Sequence, residues 1–245
     1  NGVRITLTGQ VFTLMSNVAT DAQAGKLIQS VDRYLFDPGV GGYRLNSDFR
    51  EVLLNMGRCF GFAYGHKENG AMFSHMAVMY AYALYERGHV RQAFRALEQI
   101  YKHSANFPIS RMYPGIPEYF NARGRGVYTY LTGSASWYLL TLLTQAFGVR
   151  GCLGALTLAP KLLSEQFDTA GQASVLTRFA DRQIRVIYQN PDHLDYGAYQ
   201  IVRVTIDDHD LPIGAPAASI QIARQRIAVL EPGRVHKIRA WLAAG

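Results

Sequence analysis

Met72-Phe73-Ser74-His75-Met76-Ala77-Val78-Met79-Tyr80-Ala81-Tyr82-Ala83-Leu84-Tyr85 is apolar almost all round. Met72, Phe73, Met76, Val78, Met79, Tyr82 and Leu84 leave no polar face, and a helix of that composition is buried on most of its sides. Gly88 breaks the run. Val90, Phe94, Leu97, Ile100 and Tyr101 then recur with the spacing of an amphipathic helix. Helices over 72–87 and 90–103 are expected to form an antiparallel pair.

On the N-terminal side, Val11–Ser16 is a short apolar stretch, read as a helix over 10–16. Thr20-Asp21-Ala22-Gln23 has the form of a capping box. Ala24, Leu27, Ile28, Val31 and Leu35 continue it as a helix over 20–35, which Asp37-Pro38-Gly39 and Gly41-Gly42 stop. Residues 39–71 carry few helix signals and are expected to be a long loop. Loops of that length in compact domains are often functional. Residues 104–133, with Pro108, Pro114, Pro117, Gly124 and Gly126, are expected to be a second. A mostly apolar helix follows over 134–147, closed by Gly148. Each Gly-bearing loop thus runs directly into a buried helix.

After Gly148 the pattern changes. Leu156–Leu158, Ser174–Leu176, Ile184–Tyr188, Val202–Ile206 and Ser219–Ile222 are short β-branched segments. Val202, Val204 and Ile206 are expected on one face, with Arg203 and Thr205 on the other. Asn190-Pro191-Asp192, the acidic group Asp207, Asp208 and Asp210, and Glu231-Pro232-Gly233 read as turns. The expected division is a helical region over 1–150 and a small antiparallel β-sandwich, jelly-roll-like, over 151–245.

The 245 residues contain 25 Lys plus Arg and 18 Asp plus Glu, a net charge of +7, and are 49% hydrophobic. That apolar content excludes disorder. Two cysteines, Cys59 and Cys152, exclude a disulfide framework. The arginines are scattered, without a basic stripe, so nucleic acid is not an expected partner. No apolar run is long enough to span a bilayer. The start, Asn1-Gly2-Val3-Arg4, is neither an initiator Met nor a signal peptide, and a cut piece of a longer chain is expected.

Three clusters carry chemistry. The first is His66-Lys67-Glu68-Asn69-Gly70-Ala71-Met72-Phe73-Ser74-His75. A helix starting near Ala71 would offer unsatisfied N–H groups and a positive dipole end to an anion, with His75 as a further donor. A capped helix with a satisfied buried histidine explains the same residues. The spacing is not that of a zinc site. The second cluster runs from Arg123 to Trp137, with Gly124-Arg125-Gly126 and Thr132-Gly133-Ser134 before a helix. It suits an anion or ordinary capping, and is not a P-loop because no Lys follows the glycines. The third, Tyr113-Pro114-Gly115-Ile116-Pro117-Glu118-Tyr119-Phe120, sets a carboxylate among rings, as sugar sites do and as plain loop packing also does. Trp137 and Trp241 are read as core or interface aromatics.

Together these segments resemble glycoside hydrolase family 94, the inverting disaccharide and oligosaccharide phosphorylases, which include the phosphorylase-like module of cyclic β-1,2-glucan synthases. The resemblance rests on Lys67-Glu68-Asn69-Gly70 with Phe73-Ser74-His75. It rests equally on Gly124-Arg125-Gly126 followed by Tyr130-Leu131-Thr132-Gly133-Ser134-Ala135-Ser136-Trp137. It implies that 1–150 is the C-terminal portion of an (α/α)6 barrel followed by a small β-sandwich. It implies that His75, Thr132 and Gly133 bind phosphate and that Glu68 and Glu118 bind sugar. Inorganic phosphate is then co-substrate, with no metal or organic cofactor, and a β-glucan oligosaccharide is the substrate. Gly42-Tyr43-Arg44-Leu45-Asn46 and Tyr113–Phe120 look closest to members acting on β-1,2-glucans.

Two departures accompany the resemblance. No Asp here matches the family's general acid, so no catalytic residue is assigned, and the upstream phosphate-binding arginines have no match. The helix segments also supply less than half of a twelve-helix wall. The missing N-terminal part is therefore an expected partner, in cis or as another chain. A homodimer stays open, and a cytoplasmic location is expected. The alternatives are a module of a cyclic β-1,2-glucan synthase and a non-catalytic sugar-binding remnant.

Overall fold

The computed structural model describes residues 2–112, 115–129 and 133–245. The chain divides into two compact units, Asn1–Thr141 and Leu142–Gly245.

The first unit contains helices α1 (Leu7–Met15) and α2 (Asp21–Leu35), then two short strands, β1 (Phe36–Asp37) and β2 (Gly42–Tyr43). Next come strand β3 (Met72–Phe73) and helices α3 (Ser74–Glu86), α4 (Val90–Ala105) and α5 (Phe107–Ser110). Strands β4 (Tyr119–Phe120) and β5 (Gly126–Val127) and helix α6 (Gly133–Thr141) complete it. The α2 capping box forms as its sequence indicates. The Gln23 N–H donates to Thr20 Oγ1 at 3.3 Å and the Thr20 N–H to Gln23 Oε1 at 2.9 Å. Such a cap is worth about 1 kcal/mol.

Helix α3 is the hub, packed by α1, α4 and α6. Val78, Tyr80, Ala81, Ala83, Leu84 and Tyr85 are fully buried, which is why the run lacks a polar face. The helix starts at Ser74 rather than Met72, because Met72 and Phe73 pair antiparallel with Phe120 and Tyr119. An apolar run gives no phase by which a paired strand is told from the first helical turn.

Both expected loops carry local structure. Residues 39–71 contain β2 and 3-10 turns at Pro38–Val40, Leu54–Met56 and Arg58–Gly61. Buried Asn46 organises them: its Oδ1 accepts from the Gly70 N–H at 2.7 Å, and its Nδ2 donates to Asn69 Oδ1 at 3.0 Å. Arg44 bonds Asp37 and the Gly70 carbonyl, and the Tyr43 hydroxyl donates to Asp32. The 104–133 stretch holds α5 and the β4–β5 hairpin, so β3, β4 and β5 form a small sheet at the start of α3.

The second unit begins with a π-helical turn, Leu142–Ala146, so the apolar run over 134–147 is not one α-helix. Strands β6 (Val149–Cys152), β7 (Ala155–Leu158), β8 (Gln172–Phe179), β9 (Arg182–Gln189), β10 (Tyr199–Ile206), β11 (His209–Leu211) and β12 (Ile220–Ala223) follow. A short helix, α7 (Arg224–Ala228), and strand β13 (Val235–Ala244) end the chain. One sheet has the order β11-β10-β13-β9-β8 and another β12-β7-β6. All pairings in these sheets are antiparallel except β13 with β9, which is parallel and corrects the expectation of a purely antiparallel tail.

A register shift on β10 between Ile201 and Arg203 also corrects the expected faces. Val202 becomes exposed, while Ile201, Val204 and Thr205 are buried. Asp207 and Asp208 take positive φ at 47° and 66° in the two-residue β10–β11 turn, the conformation Asp tolerates and hairpins favour. Trp241 lies half-buried with the Arg203 guanidinium 4.6 Å from its ring centroid. Among the described residues no helix is long and apolar enough to cross a membrane.

Candidate functional site

His75 is the second residue of α3, and no side chain caps that helix. The first N–H groups of a helix have no intrahelical partner. That of Ser74 donates to the Glu118 carbonyl at 2.9 Å, and the Glu118 N–H donates to the Tyr128 carbonyl at 3.1 Å. The β3–β4–β5 sheet thereby delivers Glu118 to the start of α3. The register that makes Met72 and Phe73 a strand also brings the third cluster to the first.

The second cluster arrives through Gly133, the first residue of α6. A Cβ there would lie 2.7 Å from His75 Cε1 and 2.8 Å from its Nδ1. Only glycine lets the imidazole approach the backbone that closely. The α3 and α6 N-termini are therefore in contact at this point, 58 residues apart in sequence. Thr132 lies outside the described residues, as do Tyr113 and Tyr130. The His75 ring also lies 5.9 Å from that of Trp137, which meets Tyr82 edge-on at 5.5 Å.

Burial pushes the His75 imidazole below the ordinary histidine range, against the opposing pull of the Glu118 carboxylate. The ring is therefore neutral at neutral pH, with one N–H to donate. Its Nε2 is buried without a hydrogen-bond partner among the described residues, as are Glu68 Oε2 and Ser74 Oγ. Glu68 sits in the turn that pairs His66 with Asn69, ahead of β3 rather than beside the first turn of a helix. An unpartnered buried carboxylate oxygen is costly unless something else supplies a donor.

Sequence reasoning assigned no role to Lys67 or Tyr128. Lys67 has φ 46° and Tyr128 φ 60°, conformations for which neither residue type gives a signal. Lys67 Nζ stands 4.8 Å from the Phe62 ring centroid and 5.8 Å from that of Tyr128. Tyr119 stacks on Phe73 at 6.2 Å and meets Tyr128 edge-on at 5.8 Å. Burial raises the Tyr119 phenol, Tyr128 and the Glu118 and Glu68 carboxylates raise it further, and the Lys67 backbone N–H opposes them. Both carboxylates thus act on one phenol.

Tyr43 spends its hydroxyl on Asp32, and Arg44 and Asn46 spend their polar groups on the scaffold around Gly70 and Asp37. Among the described residues, no group of three or more His, Cys, Asp or Glu could hold a metal ion. The arrangement offers a helix start without a side-chain cap, a neutral imidazole against Gly133, two carboxylates and a ring wall. Such a set suits an anion beside a polyhydroxy ligand.

Residues 1–148 match the catalytic domain of the glycosyl hydrolase 94 superfamily. The chain is similar to the cellobionic acid phosphorylase of Neurospora crassa, 26% identical over 178 residues, 66% of this chain and 22% of that protein. It is 30% identical to the solabiose phosphorylase of Paenibacillus borealis over 141 residues, 54% of this chain and 18% of that protein. It is 25% identical to the N,N'-diacetylchitobiose phosphorylase of Vibrio proteolyticus over 209 residues, 81% of this chain and 25% of that protein. The matched regions thus span a quarter or less of these relatives. Since the family match covers more than half of the chain, this protein belongs to the glycosyl hydrolase 94 superfamily.

Proposed function

We propose that this chain is the part of a glycoside phosphorylase that holds the attacking phosphate and a portion of the sugar. The observation that carries this reading is the contact of His75 with Gly133, together with the buried Ser74 and His75 atoms of the same helix start, and Glu68 Oε2, that have no partner among the described residues. On this reading a phosphate oxygen attacks the anomeric carbon from the face opposite the leaving sugar. The C1–O bond breaks, and the leaving oxygen takes a proton from an aspartic acid outside this chain. The acid regains a proton from the phosphate, and the product is α-glucose 1-phosphate. Phosphate replaces the base-activated water of an inverting hydrolase, so one acid suffices.

His75, neutral, donates to phosphate through its Nε2. The backbone N–H groups at the starts of α3 and α6 offset the anion's charge, with Thr132 as an added hydroxyl. Glu68 and Glu118 accept from sugar hydroxyls, and Tyr119 and Tyr128 provide ring surface. The first unit is, in this reading, the C-terminal portion of an (α/α)6 barrel, and the second a β-sandwich. The finer substrate proposal is a β-1,2-linked glucose oligomer, supported by the resemblance of 42–46 and 113–120.

Three measurements test this. The isolated 245-residue chain should release no glucose 1-phosphate from any β-glucan with phosphate; release by a pure preparation would overturn the placement of the acid. In the complete enzyme, kcat/KM should be higher for sophorose than for cellobiose; the reverse order removes the β-1,2 assignment. His75→Ala should raise the phosphate KM. An unchanged phosphate KM and kcat with a lowered thermal midpoint would leave His75 a core histidine.

A further inference from the structure

We infer that His103, on α4 and outside the clusters described above, is a positioning residue for the sugar side of this site. The inference rests on the proposed function only for which ligand it names. The ring is buried, and its Nε2 donates to the Gly124 carbonyl at 2.7 Å, since a carbonyl can only accept. Its face meets Phe120 edge-on at 4.6 Å. A Cβ on Gly124 would lie 3.0 Å from its Cε1 and Nε2, and a Cβ on Gly41 2.6 Å from its Cγ. One imidazole is thus wedged between two glycines, both at positive φ, and ties α4 to the 38–42 turn and the β4–β5 hairpin.

That hairpin carries Tyr119 on its first strand, with Glu118 just before it bonded through its N–H to the carbonyl of Tyr128 just after the second strand. Its tip is already well made. Asn121 Oδ1 accepts from the Arg123 and Arg125 N–H groups, and the Gly124 N–H donates to the Asn121 carbonyl. What the tip lacks from its own residues is a partner for the Gly124 carbonyl, and His103 supplies it. Removing that bond leaves the hairpin folded while loosening its placement against α4. The loosening reaches Glu118 and Tyr119 most directly, whereas the His75–Gly133 contact joins α3 to α6 and includes no residue of the hairpin. A displacement of about 1 Å at a positioning group costs on the order of 10²-fold in rate.

The test uses the complete enzyme carrying His103→Ala, His103→Gln and Gly124→Ala. His103→Ala should lower kcat/KM for the sugar about 10- to 100-fold and leave the phosphate KM within about twofold. His103→Gln, which keeps a donor near Nε2, should restore most of the loss. Gly124→Ala, which drives a methyl toward the ring and the Gly39 carbonyl, should reproduce the His103→Ala phenotype even if His103→Ala itself folds poorly. Amide hydrogen exchange at 121–127 should quicken in the same variants. Equal changes for sugar and phosphate, or no rescue by glutamine, would overturn the assignment. Should the phosphate reading of His75 fail instead, the quickened exchange at the hairpin and its rescue would still stand, so the two failures are distinguishable.

Discussion

The two units each contain a histidine with a buried ring nitrogen and a carboxylate acting on it, and they treat it in opposite ways. In the second unit His236 is fully buried. Its Nδ1 meets Asp207 Oδ2 at 2.6 Å, and its Nε2 meets the Glu231 carbonyl at 2.7 Å. Asp207 further accepts from Arg234 and from the Lys237 N–H. Both ring nitrogens of His236 and both carboxylate oxygens of Asp207 have a protein partner, and the cluster's work is to lock the β10–β11 turn to β13. In the first unit Glu68 and His75 are only half-buried, yet Glu68 Oε2 and His75 Nε2 are shut off from solvent and have no such partner among the described residues. The second unit also holds unpartnered atoms, at Thr157 on β7 and at the cross-strand neighbours Thr205 and Arg239 on β10 and β13, but these lie within regular sheet rather than at a helix start. Unpaired Ser74 and His75 atoms in the first turn of α3, which no side chain caps, separate a candidate site from a structural network.

The contrast breaks most readily at His75. In the complete enzyme His75→Ala should lower kcat about 10²-fold or more and raise the phosphate KM, with little change in thermal midpoint. Gly133→Ala should act similarly but less strongly, about 10- to 100-fold, because the methyl displaces a ring that remains present. Steady-state kinetics with phosphate as the varied substrate reads both.

Asp207→Asn should do the reverse. It removes the charge that His236, Arg234 and Lys237 are arranged around, and should destabilise the second unit by about 2 kcal/mol, visible in urea unfolding, with phosphate kinetics unchanged. Burial alone would raise the Asp207 carboxyl. The hydrogen bonds from His236 and Lys237, with the nearby charges of His236 and Arg234, outweigh it and hold the group below the usual range. Its contribution to stability is therefore present above the unfolded carboxylate value, about 3.9, and is lost as pH falls through the lower folded value.

Glu68→Gln sharpens the comparison from the other side. Replacing a carboxylate whose buried oxygen lacks a protein partner should leave the unfolding free energy unchanged or raise it by up to about 1 kcal/mol, while weakening sugar binding in the complete enzyme. A clear loss of stability would instead place Glu68 with the structural networks.

The smallest effect concerns acid. The His75 value is depressed, so the unfolded chain takes up its proton first as pH falls. Stability tied to this ring is present above about pH 6.5 and declines as pH falls from there toward the folded value. His75→Gln should flatten the pH dependence of the thermal midpoint in that window. An unaltered slope would show that the ring is not the group responsible.

Much of this molecule was legible along the chain. The Thr20–Gln23 box, the all-round apolar run of α3, the α4 stripe and the change of period after Gly148 are local patterns, and each produced the element its local physics favours. The Lys67-Glu68-Asn69-Gly70 and Gly133-Ser134 motifs identified the candidate residues because glycine and capping positions are written in residue type. Other features carried no such mark. The start of α3 moved to Ser74 because Tyr119 and Phe120, more than forty residues away, took the hydrogen bonds of Met72 and Phe73. The exposed position of Val202 followed from a bulge set by pairing with β13. The parallel alignment of β13 with β9 depends on a strand whose partners lie in both directions along the chain.

The sequence by itself therefore determined the main bodies of α2, α3 and α4, the change to strands after Gly148, and which residue types stand at helix starts, since propensity, capping and periodicity act over a few residues. Only the tertiary structure decided that the His75 ring rests on Gly133, that Glu118 caps the Ser74 N–H through its carbonyl, and that His103 holds the hairpin bearing it. Those contacts join residues dozens of positions apart. Their geometry follows from how packed helices and a three-stranded sheet share one core, a constraint that no local window of residues contains.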